Sequence, residues 1–270
     1  MAPSHPGIYH GIDFSGAKSH RNKIWVSTWN GQDPATTRNG FSHGELVRAI
    51  ADSAEDAQRH FWLIDAPFNL PVEQLETHGV EPTWRATLDW LASFKTPRDW
   101  RRACRKVSRV EPRRAIDKTA QTPFAPINLR MFKQSWHCMV SLLLPLADNA
   151  RVAILPMVLS EDSERLDTAG AWVGESCPSS TLKHLDWPHM GYKGVAPKNR
   201  KVREELLRKL ERKAGVPVES RSAETAVLDT EGDALDSLLL LASATPFASC
   251  DHAEILRRDA LAHAEGWVYR

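Results

Sequence analysis

A chain of 270 residues with 42% hydrophobic and 26% charged residues has the make-up of a folded globular protein, which excludes a disordered or fibrous one. Its longest apolar runs, Met139 to Ala147 and Leu238 to Ala244, fall far short of the roughly 20 residues that cross a bilayer, so no membrane span is expected. Net charge is +1 but uneven: Arg98 to Lys133 holds 11 Lys or Arg against three acids, a net of +8, and Lys193 to Lys213 nine against three, a net of +6, which leaves −13 on the rest. Two basic segments on an acidic body suit an anionic partner bound locally.

Met1 to Pro6 shows no basic start leading into an apolar core, so no secretory leader is expected and the protein is placed in the cytoplasm. Cys104, Cys138, Cys177 and Cys250 are scattered without a Cys-x-x-Cys pair, which argues against a structural zinc site or a disulfide framework.

In chain order, Gly7 to Phe14 and Lys23 to Trp29 read as two antiparallel strands joined through the Ser15 to Asn22 turn. His43 to Arg59 has helical apolar spacing, with Ser42 available as a cap. Phe61 to Asp65 is a short, continuously apolar strand, the pattern of a buried parallel one. From about residue 69 to 133 Pro, Trp and Arg are frequent and no strand pattern appears. The spacing predicts a helical, basic insertion there, with helices over Thr83 to Phe94 and Asp99 to Val107. Beyond it follow a helix at Ser135 to Ala147, strands at Val152 to Val158 and Ala171 to Glu175, and helices at Lys198 to Ala214, Asp233 to Ala244 and Ala253 to Ala264. The order indicates a single α/β domain over residues 1–270 with a mixed sheet flanked by helices and the insertion at about 69–133.

Carboxylates mark the ends of these strands. Asp13 follows an apolar strand and precedes the Phe14-Ser15-Gly16 turn, Asp65 follows four apolar residues and precedes Pro67, and Glu175 closes a third strand. Each also suits a plain turn residue or surface charge; together they suit an active site, because ligands of open α/β sheets gather at the carboxyl ends of strands. Asp236 is the single charge within Ala234 to Ala244, a run so apolar that its helix must be buried nearly all round, and a lone buried carboxylate needs a partner or a metal. Asp233, a turn earlier, doubles as a helix-start acid. Carboxylates converging in this way require cations between them, and hard ions such as Mg²⁺ or Mn²⁺ take oxygen ligands. Two such ions support phosphodiester hydrolysis without a dedicated nucleophile. None of the 11 histidines falls in a His-x-x-x-His or His-Glu-x-x-His pattern, which argues against a zinc hydrolase.

The segments Gly11 to Lys18, Ile64 to Phe68, Glu175 to Pro178, Gly191 to Gly194 and Gly232 to Asp236 resemble, in order, the markers of domain-of-unknown-function family 429, whose members are predicted nucleases with a ribonuclease H-like fold. The resemblance implies that Asp13 is the first-strand metal ligand, that Asp65 is the fourth-strand acid and that Asp233 and Asp236 are helix acids like those of junction-resolving nucleases. Glu175 has no counterpart in the minimal ribonuclease H site. The expected catalytic set is then Asp13, Asp65, Glu175 and Asp236, with Asp13, Asp65, Asp233 and Asp236 holding Mg²⁺ or Mn²⁺.

Nucleic acid, DNA or RNA, is the expected partner. Lys18, Arg101, Arg102, Arg105, Lys106, Tyr192 and Lys193 are the candidate contacts, with Trp84, Trp90 and Trp100 offering faces for unpaired bases. A solvated basic helix packed on core tryptophans would give the same pattern. Two rival readings stand beside the nuclease. One is an actin-like ATPase or kinase, which shares a first-strand Gly-Ile-Asp and would use Lys18 on a phosphate. The other is a nucleic-acid-binding protein of the same fold without turnover.

Overall fold

The structure is a computed structural model and describes residues 6–270; the opening stretch read above for a leader falls mostly outside them. Seven strands form one sheet: β1 (Ile8–Asp13), β2 (Trp25–Trp29), β3 (Thr36–Asn39), β4 (His60–Asp65), β5 (Val152–Leu155), β6 (Ala171–Ser176) and β7 (Val268–Tyr269). Their order is β3-β2-β1-β4-β6-β5, and β7 pairs with the end of β6 beyond β5. β2 runs antiparallel to both β1 and β3, whereas β1, β4, β6, β5 and β7 are parallel. Helices flank this mixed sheet, and among the described residues no helix is long and apolar enough to cross a membrane.

The first two strands and the buried β4 are where the sequence put them, and the helix expected over His43 to Arg59 starts at His43 but ends at Ser53. That helix is fixed by a capping box: the Ser42 hydroxyl accepts from the Glu45 amide, and the Ser42 amide donates to the Glu45 carboxylate. The insertion contributes helices Trp84–Ala92 and Pro97–Val107, and its Trp84, Leu88 and Trp100 belong to the same hydrophobic core as the sheet.

Several expectations change. β3 is an edge strand of sequence Thr-Thr-Arg-Asn, almost wholly exposed, so it has no apolar alternation to announce it. The Ser135 to Ala147 helix contains a widened turn at Cys138–Leu143, just before Pro145, whose ring and missing N–H are incompatible with the normal bond one turn back. The strand after it ends at Leu155, before Pro156. Asp233 to Ala244 is helical only to Leu239, then tightens over Leu240–Ser243. The last expected helix is two, His252–Arg258 and Ala262–Glu265.

Register decides what the sheet can present at its carboxyl edge. Asp13 pairs with Asp65 and Asp65 with Ser176, so these three are level and share a face; Glu175 pairs with Ile64, one step back, and belongs to the opposite face. Helix Asp233–Leu239 lies on the Asp13 face. A Cβ at Gly11, two residues from Asp13, would fall 2.1 Å from the Ser237 carbonyl oxygen, so glycine at this position is what lets helix and strand touch. Ser27, the neighbour of Gly11 on β2, shares a 2.7 Å hydrogen bond with the Ser237 hydroxyl.

Candidate active site

A cleft of about 560 Å³ opens at the carboxyl ends of β1, β4 and β6, and its lining includes Asp13, Asp65, Glu175, Asp233 and Asp236. The structure therefore brings together all five acids singled out in the sequence, but in two groups on opposite faces of the sheet.

The first group is Asp13, Asp65, Asp233 and Asp236. Asp13 and Asp65, half-buried, occupy in-register ends of adjacent parallel strands. Burial, then the neighbouring Asp236, Asp65 and Asp233 carboxylates, raise Asp13 well above the usual carboxylate range. Burial and Asp236 likewise push Asp65 up to about 8. Asp236 is 3% exposed. Its Oδ1 accepts a 2.9 Å hydrogen bond from the Tyr192 hydroxyl, and its Oδ2 lies 2.6 Å from Lys193 Nζ. Burial raises the Asp236 carboxyl in spite of the pull from Lys193. Burial opposes the charge on Lys193, and Asp236 and Asp13 outweigh it, so this ammonium is held protonated.

Asp233 is free to face the cleft because another residue starts its helix. Asp229 accepts from the Ala234 amide at 2.9 Å and from the Glu231 amide at 3.1 Å, while Gly232 takes the left-handed conformation at the cap (φ 83°). Lys23 Nζ stands 3.7 Å from Asp233 Oδ2 and also pairs with Glu231. The strand pairing contained a signal for Lys23, which lies two residues before Trp25, the partner of Asp13.

The second group surrounds Glu175. Arg114, from the insertion, is fully buried and donates to both Glu175 oxygens, to both oxygens of Asp117 and to the Glu265 carbonyl. The Phe68 amide donates to Glu175 Oε2 at 2.8 Å. Burial raises the Glu175 carboxyl, opposed by Arg114, whereas at Asp117 the guanidinium overcomes burial and lowers it. With both oxygens engaged by Arg114, Glu175 ties the insertion to the sheet and is not one more acid beside Asp13. Arg114 was invisible as a site residue, since 61 positions separate it from Glu175.

The basic residues disperse. Arg101 and Arg105 pair with Glu111 at 3.1 and 3.5 Å, Arg102 lies 3.7 Å from Asp99, and neither these three nor Lys106 lines the cleft. Trp84 and Trp100 are buried in the core, so their faces are closed to bases; Trp90 packs against Phe94 and His78. Lys18 is exposed on the turn after β1, outside the cleft. Tyr192 lines the cleft but is buried, with its hydroxyl committed to Asp236. In the second basic segment, buried Arg203 donates to the carbonyls of Val227, Tyr192 and Gly194 and so fixes the loop that carries Lys193. Lys193, half-exposed, is the member of the expected set that reaches the cleft with an accessible charge.

Among the described residues no three His, Cys, Asp or Glu side chains stand ready around one metal position. Neither a curated protein nor a solved structure matches the chain. The model of the family described as a protein of unknown function, DUF429, matches residues 11–260. By that match, which spans nearly the whole chain, the protein belongs to the DUF429 family.

Proposed function

We propose that the protein is a divalent-metal-dependent nuclease of ribonuclease H-like fold that hydrolyses phosphodiester bonds. The observation that carries this reading is the in-register placement of Asp13 and Asp65 on adjacent parallel strands, with Asp236 and Asp233 facing them from the helix packed on the same side. Three antiparallel strands followed by parallel ones is also the order expected of that fold.

The donor set is all carboxylate oxygen, the chemistry a hard cation selects, and Mg²⁺ ordinarily takes one or two carboxylates and completes its shell with waters and phosphate oxygens. Asp13 and Asp65 would hold the ion, with Asp236 and Asp233 beside them. Such a cation would activate a water and offset charge on the phosphate. Tyr192 and Lys193 orient Asp236, and Lys193 and Lys23 place positive charge where the anionic backbone would lie.

The test is incubation of the purified protein with labelled single-stranded, duplex, hybrid and branched nucleic acids in Mg²⁺ or Mn²⁺. Cleavage that requires the cation and vanishes in Asp13→Asn is the expected result; its absence on every substrate sinks the reading.

A further inference from the structure

We propose that the cleft admits an unpaired stretch of nucleic acid, one or two nucleotides long, in preference to duplex. The identity of the ligand as nucleic acid rests on the nuclease reading; its unpaired state comes from the walls.

Two segments line the cleft together with the acids. The insertion contributes Pro123, Phe124 and Met131, anchored by a 2.9 Å hydrogen bond from the Thr122 hydroxyl to Asp117 and by Gln134 donating to the Asp65 carbonyl. The loop that carries Tyr192 and Lys193 contributes Met190. A volume of about 560 Å³ is that of an ordinary small-ligand cleft, about 300–1,000 Å³. It accommodates a nucleotide or two, whereas a duplex would have to bring two backbones and paired bases into the same space.

The walls are also chemically suited to open bases. Met190 lines the cleft and is 74% exposed, so its thioether is accessible to a ligand there. Phe124 is half-buried, with the Arg130 guanidinium 5.3 Å from its ring centre. An aromatic ring with a cation over it and a polarisable thioether, lining one cleft with acids and lysines, is the composition of a stacking site for bases whose phosphates meet positive charge. A duplex keeps its base faces stacked inside and offers nothing to Phe124 or Met190.

The test uses the Asp13→Asn chain in Mg²⁺, so that no substrate is consumed. Fluorescence anisotropy compares a labelled single strand, the blunt duplex of the same sequence and that duplex with an unpaired tail. The single strand should bind at least about tenfold tighter than the blunt duplex, with the tail restoring affinity. Phe124→Ala and Met190→Ala should each weaken single-strand binding about fivefold or more. Because Met190 is exposed, its replacement leaves folding intact and keeps the test valid if Phe124→Ala is unstable. Equal or tighter binding of blunt duplex, no binding of any probe, or single-strand binding indifferent to Met190→Ala overturns the proposal. A single-strand preference without cleavage by the unaltered chain upholds it and removes the nuclease reading; cleavage with a duplex preference does the reverse.

Discussion

Lys193 Nζ stands 2.6 Å from Asp236 Oδ2, so the most buried of the four acids on the Asp13 face already has a cation beside it. An ammonium and a divalent ion cannot both occupy that oxygen's front. Lys193 therefore competes with metal, and Lys193→Met should tighten Mn²⁺ binding about three- to tenfold by calorimetry. Without metal the same change leaves Asp236 with Tyr192 alone, at a cost of about 1 kcal/mol given that Lys193 is half-exposed. Weaker Mn²⁺ binding in Lys193→Met would mean that the lysine assists the ion.

Asp13 and Asp65 are carboxyls held level on neighbouring strands, and burial together with the neighbouring acids resists their ionisation in the fold. Such an arrangement costs stability that only a bound cation returns. In EDTA near neutral pH, Asp13→Asn and Asp65→Asn should each be about 1 kcal/mol more stable than the parent chain while losing cleavage by about two orders of magnitude or more. Addition of Mg²⁺ should raise the melting temperature of the parent and close the gap. A parent that is more stable than both variants in EDTA would contradict this account.

Much of this site was legible because strand ends are local. An apolar run that stops at a carboxylate identifies Asp13 and Asp65, and a lone charge among leucines identifies Asp236. Which face an acid occupies is not local: Glu175 is separated from the others by a single register step between β4 and β6, set only when the strands pair. The fate of the basic insertion was equally remote, since it depends on Glu111 being placed beside Arg101 and Arg105 and on Glu175 receiving Arg114. β3 stayed hidden because an exposed edge strand needs no apolar side.

The Arg114 cluster gives a test that separates holding the fold from doing chemistry. Arg114→Met strands Glu175 and Asp117 as buried acids without their cation and should cost about 3–5 kcal/mol in urea unfolding. Glu175→Gln keeps the shape and leaves Arg114 paired with Asp117, so a loss of about 1–2 kcal/mol is expected. Cleavage per folded molecule in Glu175→Gln should stay within about fivefold of the parent, unlike Asp13→Asn. A collapse of activity at unchanged stability would return Glu175 to the catalytic set.

His252 provides a pH signature remote from the cleft's acids. Its ring is 1% exposed, shares a 2.8 Å hydrogen bond between Nδ1 and the Tyr269 hydroxyl, and packs against the edges of Trp172 and Phe247. Burial lowers it from 6.5 to about 4, against a weaker opposing pull from Asp251. The unfolded chain thus takes up a proton near pH 6.5 that the folded chain refuses until about pH 4, so the stabilisation is whole above 6.5 and is lost as pH falls through that window. At 1.36 kcal/mol per pKa unit, the parent should lose about 3 kcal/mol more than His252→Gln between pH 7 and pH 4.5, read from urea midpoints. His10, also lowered by burial, adds to the same loss in both chains, and the raised Asp13 and Asp65 offset part of it in both, so the difference isolates His252. Parallel pH profiles for the two chains would show that the ring already accepts its proton in the fold, with solvent reaching the buried Nε2 atom.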